Sequence, residues 1–237
     1  MVCVRWTRPR EAHVTDAEWL SCDDPTPMLA YLEGKASDRK LRLFAVACCR
    51  RVWEALNEDG RRAVEAAEGF ADGLIAVNEL RDSGLAARLP VDDYYDRANL
   101  GGHGVVLTGH LAASESAFIT CSPSFTLAAS DRTAQFALLA RGDPSESLMQ
   151  CRLLRDIIGN PFHLSPPVSF AVLAWNDGIV RKMAQVVYEE RAFDRLPILA
   201  DALEDAGCTD GEILAHCRGP GPHVRGCWVV DLLLGRS

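Results

Sequence analysis

The sequence predicts a mainly α-helical protein: a compact antiparallel helical bundle or array with an irregular middle segment. Three observations predict it. Apolar residues recur at helical spacing along most of the chain. The periodic segments open on Ser, Thr or Asp and close on Gly. The connections between them are short, which makes successive helices antiparallel neighbours. The chain has 237 residues, 48% of them hydrophobic, enough to bury a sizeable core. Residues 14–237 are therefore read as a single helical domain. Its helical regions 14–89 and 130–237 are joined by an irregular stretch, 90–129.

Residues 1–13 show no period, cap or apolar stripe and are expected to form a disordered tail. "TDAE" at 15–18 is a capping box, with Thr15 as N-cap and Glu18 reaching back to its amide. "DPTPMLAYLEG" is a short helix with Pro27 in its first turn and Gly34 as its stop. The clearest helix is "SDRKLRLFAVACCRRVWEAL", 37–56, capped by Ser37. Leu41, Phe44, Ala45, Cys48, Val52 and Leu56 share one face. Arg39, Lys40, Arg42, Arg50, Arg51 and Glu54 take the remainder, a face expected to be solvated. A helix at 60–74 follows, with Ala63, Ala66, Ala67 and Phe70 as its stripe, and "VNELRDSGLAARL" adds further turns.

The stretch 90–129 is rich in Gly, Ser, Thr and β-branched residues and lacks a clear period. Short strands within 104–128 or irregular loops both fit it. Helical pattern resumes at Ser130, read as a cap, and stops at Gly142. "PSESLMQCRLLRDIIGNPF" repeats that logic and ends at Gly159. Asn176 or Asp177 caps "GIVRKMAQVVYEER". Asp194 caps "DRLPILADALEDAG", with Pro197 tolerated in the first turn and Gly207 beyond its end. "TDGE" at 209–212 is a second capping box, opening the helix that carries His216 and Cys217.

The net charge of −8 argues against a general nucleic-acid binder, which needs a basic surface. No apolar run is long enough to span a membrane, and the N-terminus has no apolar signal region. The nine cysteines are odd in number and irregularly spaced. Without a secretion signal they read as reduced thiols of a cytoplasmic protein.

"AHCRGPGPHVRGCWVVDLLLG", 215–235, is the stretch richest in chemistry. As a metal site it offers Cys208, His216, Cys217, His223 and Cys227, and zinc is the ion such ligands favour. Adjacent His216 and Cys217 on a helix point about 100° apart, which opposes both reaching one ion. As a catalytic site, Cys227 would be the nucleophile and His223 its base, with Arg218 and Arg225 favouring a thiolate or an anionic ligand. As a hinge, Gly219 ends one helix in the left-handed conformation and Pro220 and Pro222 keep the chain extended. His223 and Arg225 then bond exposed carbonyls, and a helix from Arg225 or Gly226 turns Trp228, Val229, Leu232 and Leu233 inward. The hinge uses each unusual residue with ordinary physics and is the reading adopted.

The strings "DPTPMLAYLEGKASDRKLRLFAVACCRRVW" and "ERAFDRLPILADALEDAGC…ILAHCRGPGPHVRGCWVVDLLLG" resemble an uncharacterised family of helical proteins from planctomycete bacteria, notably Gemmata-like species. The C-terminal segment of that family also occurs in proteins associated with a short repeat-companion domain. The resemblance covers residues 14–74 and 151–236; the middle departs from the Ala-rich helical stretch of the family. It implies a bacterial, all-α protein and no established activity. The function expected is that of an intracellular interaction or scaffold module with a protein partner. A metal-binding protein or Cys/His-dependent enzyme using 216–227 is the alternative.

Overall fold

The computed structural model describes residues 14–101, 109–123, 125–163 and 168–236. Among them the chain forms twelve α-helices and no strand. They are α1 (Asp16–Ser21), α2 (Pro25–Tyr31), α3 (Asp38–Arg51), α4 (Glu58–Ala71), α5 (Val77–Gly101), α6 (Gly109–Thr120), α7 (Leu127–Arg141), α8 (Ser145–Ile158), α9 (Phe170–Glu190), α10 (Leu196–Asp205), α11 (Gly211–Arg218) and α12 (Trp228–Leu234). Among the described residues, no helix is long and apolar enough to cross a membrane. The expected tail, 1–13, lies outside the described residues.

α3 is the axis of the larger layer. It packs on α4, α6, α7 and α8, and every residue from Leu41 to Cys49 is buried. Trp19, Phe44, Leu153, Leu154 and Ile157 belong to this core. A second core is built by α9–α12, from residues such as Val180, Leu199, Leu203, Ile213, Val229 and Leu233. α12 touches α8 as well as α9 and joins the two cores.

The caps of the first helices follow the sequence. Thr15 and Glu18 form the capping box of α1, and Ser37 accepts the amide of Lys40 at the start of α3. The solvated face expected of this segment is overturned at Arg42, while Arg39, Lys40, Arg50 and Arg51 are half-buried and Glu54 stays exposed. Arg42 is 2% exposed. Its guanidinium donates to the carbonyls of Thr120 and, at 2.8 Å, Ser122, beside the ring of Phe125 at 4.7 Å. A long side chain with fixed donors thus closes the carbonyl end of α6, which has no helical partners of its own.

Within the middle segment, 90–129, the described residues are largely helical rather than irregular. α5 continues through Pro90 to Gly101, and α6 begins at Gly109; residues 102–108 are outside the described part. α6 gave no period to detect because it is buried nearly all round. Ala112, Ala113, Ser114, Glu115, Ser116, Ala117, Ile119 and Thr120 are all covered. Its small hydroxyls are satisfied locally: Ser116 donates to the Thr133 carbonyl at 2.9 Å and Thr120 to that of Ala117 at 2.6 Å.

Several boundaries shift. Thr126, not Ser130, caps α7, and Ser130 is buried with its hydroxyl on the Leu41 carbonyl at 3.3 Å. A 3-10 turn at Phe193–Arg195 precedes α10, so Arg195 and not Asp194 stands at its N-cap. Asp210 rather than Thr209 caps α11, accepting the amides of Glu212 and Ile213. Within α9 the backbone leaves the helical region at Trp175–Gly178, with positive φ at Asn176 (49°), Asp177 (58°) and Gly178 (74°). Asn, Asp and Gly are the residues that bear this conformation best.

Candidate functional site

The chain from α11 to α12 crosses the C-terminal turn of α8. α11 closes when the amide of Gly219 bonds the His216 carbonyl at 3.1 Å. Gly219 itself is extended, with φ −67° and ψ 159°. The expected left-handed cap at this position is therefore wrong, and Pro220 supplies the reason: a residue before proline is pushed to extended backbone. Positive φ falls instead on Gly221 (79°) and Gly226 (92°). α12 begins at Trp228, with Cys227 at its N-cap. Val229 and Leu233 are buried as expected, whereas Trp228 and Leu232 are half-buried.

Lys40 fixes this loop from below. Its ammonium donates to the carbonyls of Ile157 at 2.9 Å and Gly226 at 2.7 Å, and pairs with Asp231 at 2.5 Å. All three of its donors are therefore used. Burial pushes its pKa down, against the pull of Asp231.

Four side chains converge above: Asp156 of α8, His216 of α11, His223 of the loop and Cys227. One ligand atom from each lies within 4.8 Å of every other. His216 Nε2 is 3.1 Å from Cys227 Sγ and 3.2 Å from Asp156 Oδ1. His223 Nδ1 donates to the same Oδ1 at 2.7 Å, and the Val224 amide donates to Oδ2 at 2.9 Å. His223 Nε2 faces the Gly219 carbonyl at 3.3 Å. Both ring nitrogens of His223 thus meet acceptors, which favours the imidazolium.

Burial alone would raise the Asp156 carboxyl. Hydrogen bonds from His216 and His223, together with the charge of His223, outweigh it and hold the group below its ordinary range. Burial likewise opposes charge on His223, but its bond to Asp156 leaves the pKa raised. The Cys227 thiol is pushed well above its ordinary value by burial and then by the Asp156 charge.

The remaining ring nitrogen completes the inventory. The indole N–H of Trp228 donates to His216 Nδ1 at 3.0 Å. Indole is a donor only, so Nδ1 carries no proton and Nε2 carries it. His216 in this tautomer cannot take a proton from Cys227, and the fully buried sulfur is held as a thiol. The arrangement opposes thiolate chemistry at Cys227.

Of the residues singled out from sequence, His216, His223 and Cys227 come together. Cys208 and Cys217 do not: both lie in the core of α9–α12, and burial raises Cys217 to about 12. Arg218 points away and pairs with Asp201 at 2.8 Å and with Glu204. Arg225 turns toward α4, 3.6 Å from Glu68 and 3.7 Å from Asp72. Asp156 was missed: the buried side of α8 also carries Glu146 and Gln150, so an acid there has no distinguishing signal in the sequence. Beside the cluster lies a cleft of about 370 Å³ lined by Arg152, Arg155, Asp156, His216 and His223. Comparison with protein-family models, with curated proteins and with solved structures finds no match for the chain.

Proposed function

We propose that the protein is a metal-stapled helical scaffold, in which one divalent transition metal, zinc by its ligand set, is held by Asp156, His216, His223 and Cys227. The observation that carries this reading is the mutual approach of the four ligand atoms within 4.8 Å. A tetrahedral zinc ion with ordinary bond lengths holds its ligand atoms roughly 3.3–3.8 Å apart, so modest side-chain adjustments would close the shell, with release of the Cys227 and His223 Nδ1 protons and a move of the His216 proton from Nε2 to Nδ1. Four protein ligands make a closed, structural site and leave no position for substrate. Bound there, the ion would tie α8, α11 and the start of α12 together, with the second-shell carbonyl of Gly219 already on His223 Nε2.

An interaction role for the scaffold is supported by large apolar side chains left on the surface, Phe170 at 85% exposure and Leu74 at 74%. The likeness to planctomycete proteins brings no activity with it and adds nothing to this reading.

A second reading is favoured by the Trp228 bond to His216 Nδ1. In it the cluster is a self-sufficient hydrogen-bonded clasp around the Asp156 carboxylate. Elemental analysis after zinc saturation and dialysis separates the two. About one zinc per chain is expected, lost in Cys227→Ser and in His223→Ala but retained in Cys217→Ser. A folded chain that keeps no metal, and whose melting is unaffected by a chelator, rules out the staple and leaves the clasp.

A further inference from the structure

We propose that a pocket on the other side of His223 is a binding site for a small organic carboxylate with an apolar body. The pocket has a volume of about 200 Å³ and lies where α3, α4, the turn after α9 and the 219–227 loop meet. Leu43, Val46, Ala47 and Phe193 give it apolar walls, and Arg50, Arg191 and Arg225 also line it. Glu68 is the one acid among its lining residues, and all three guanidiniums turn on a single oxygen of it. Arg50 reaches Oε2 at 2.8 Å, Arg225 lies 3.6 Å from it, and Arg191 bonds it as well.

The wider network has the same imbalance. Among the described residues, Arg39, Lys40, Arg50, Arg191, Arg225 and Arg236 pair with three carboxylates, those of Glu68, Asp72 and Asp231. A concentration of positive charge in a chain of net charge −8 is a local design rather than a consequence of composition. The guanidiniums are also short of acceptors: Nε of Arg50 and Nε of Arg225 are buried without a partner among the described residues. Buried donors of this kind carry a desolvation cost that a second anion would relieve.

The chemistry of the walls selects the anion. A guanidinium fork matches the two oxygens of a carboxylate, and the apolar walls reward an apolar body while offering nothing to further charged oxygens. Inorganic phosphate, a strongly hydrated mono- or dianion with no apolar body, fits such walls poorly. His223 is shared, since it lines this pocket and also belongs to the Asp156 cluster, but the three guanidiniums and Glu68 that define the anion site belong to the pocket alone.

The probe is benzoate, titrated calorimetrically into the intact chain, with benzyl alcohol as the uncharged analogue and inorganic phosphate as the compact anion. Saturable binding of one benzoate per chain is expected, with benzyl alcohol and phosphate at least tenfold weaker. Two variants should move affinity in opposite directions. Arg225→Gln removes a cation and should weaken benzoate about tenfold or more. Glu68→Gln removes the competing carboxylate and should tighten it several-fold, and circular dichroism establishes that each variant is folded. No benzoate binding by the wild-type chain overturns the proposal. So does equal binding of benzyl alcohol, stronger binding of phosphate, or a shift of both folded variants in the same direction. Should Arg225→Gln fail to fold, tightening in Glu68→Gln decides alone.

Discussion

The indole N–H of Trp228 and Nδ1 of His216 lie 3.0 Å apart, in line for a hydrogen bond, and this contact sets the tautomer of the cluster. A metal on His216 Nε2 needs the proton on Nδ1, where the indole donor opposes it. Trp228→Phe removes the opposing donor and keeps an aromatic body. Zinc affinity should rise by about fivefold to tenfold, the worth of one net hydrogen bond of about 1 kcal/mol. Competition against a chromophoric chelator measures it. An unchanged or lower affinity in a folded variant would show that the tautomer argument is wrong.

Helix starts with a side-chain oxygen beside a periodic segment were legible: Thr15 and Ser37 are the caps the sequence names. Legibility failed where burial abolished the polar face. α6 carries small residues all round and offers no amphipathic contrast, and α3 carries Arg42 into the interior because another helix needed its donors. The candidate site was half legible. Crowding of His216, His223 and Cys227 among prolines and glycines marks the loop, and the rule about adjacent helical residues correctly separates His216 from Cys217. Asp156 was not legible, because it lies 67 residues before His223 and reads as an ordinary helix acid. Only the packing of the loop across α8 buries it. At Gly219 two local rules competed, the glycine cap and the restriction before proline, and the proline prevailed.

Phe44 is completely buried on the central helix. Truncation to Ala removes a ring that α3 cannot refill, because its neighbours belong to several helices at once. Phe44→Ala should destabilise the protein by about 3–5 kcal/mol, measured by urea unfolding. A loss under about 1 kcal/mol would contradict the placement of this side chain at the centre of the core.

Gly226 combines a φ of +92° with close contact: an added Cβ would stand 3.0 Å from Leu43 Cδ1 and 3.2 Å from Leu43 Cβ. Its carbonyl also receives the Lys40 ammonium. Gly226→Ala should cost about 1–3 kcal/mol, from backbone strain and overpacking together. Gly219→Ala has no positive φ to oppose it. The added Cβ meets only the carbonyls of His216 at 3.2 Å and Ala215 at 3.3 Å, so a smaller loss is expected. A larger loss at position 219 than at 226 would mean that the loop turns elsewhere than drawn.

Glu68 gives the fold a defined acid sensitivity. Burial would raise its pKa, but Arg191 and Arg50 outweigh burial and leave it below the ordinary value of 4.5. A depressed folded pKa means that the unfolded chain binds this proton more readily. The stabilisation is therefore fully present above about pH 4.5 and is lost as pH falls through the lower folded value. Glu68→Gln should lower stability by about 1–3 kcal/mol at neutral pH; this lies below the usual loss for breaking a buried pair because Arg50 and Arg191 are partly solvated. The gap between wild type and variant should then narrow as the pH is taken below 4.5, since protonation removes from the wild type what the substitution already removed. Urea unfolding at a series of pH values measures both curves. A gap that stays constant down to the acid limb would show that the carboxylate of Glu68 does not hold these arginines in the folded chain.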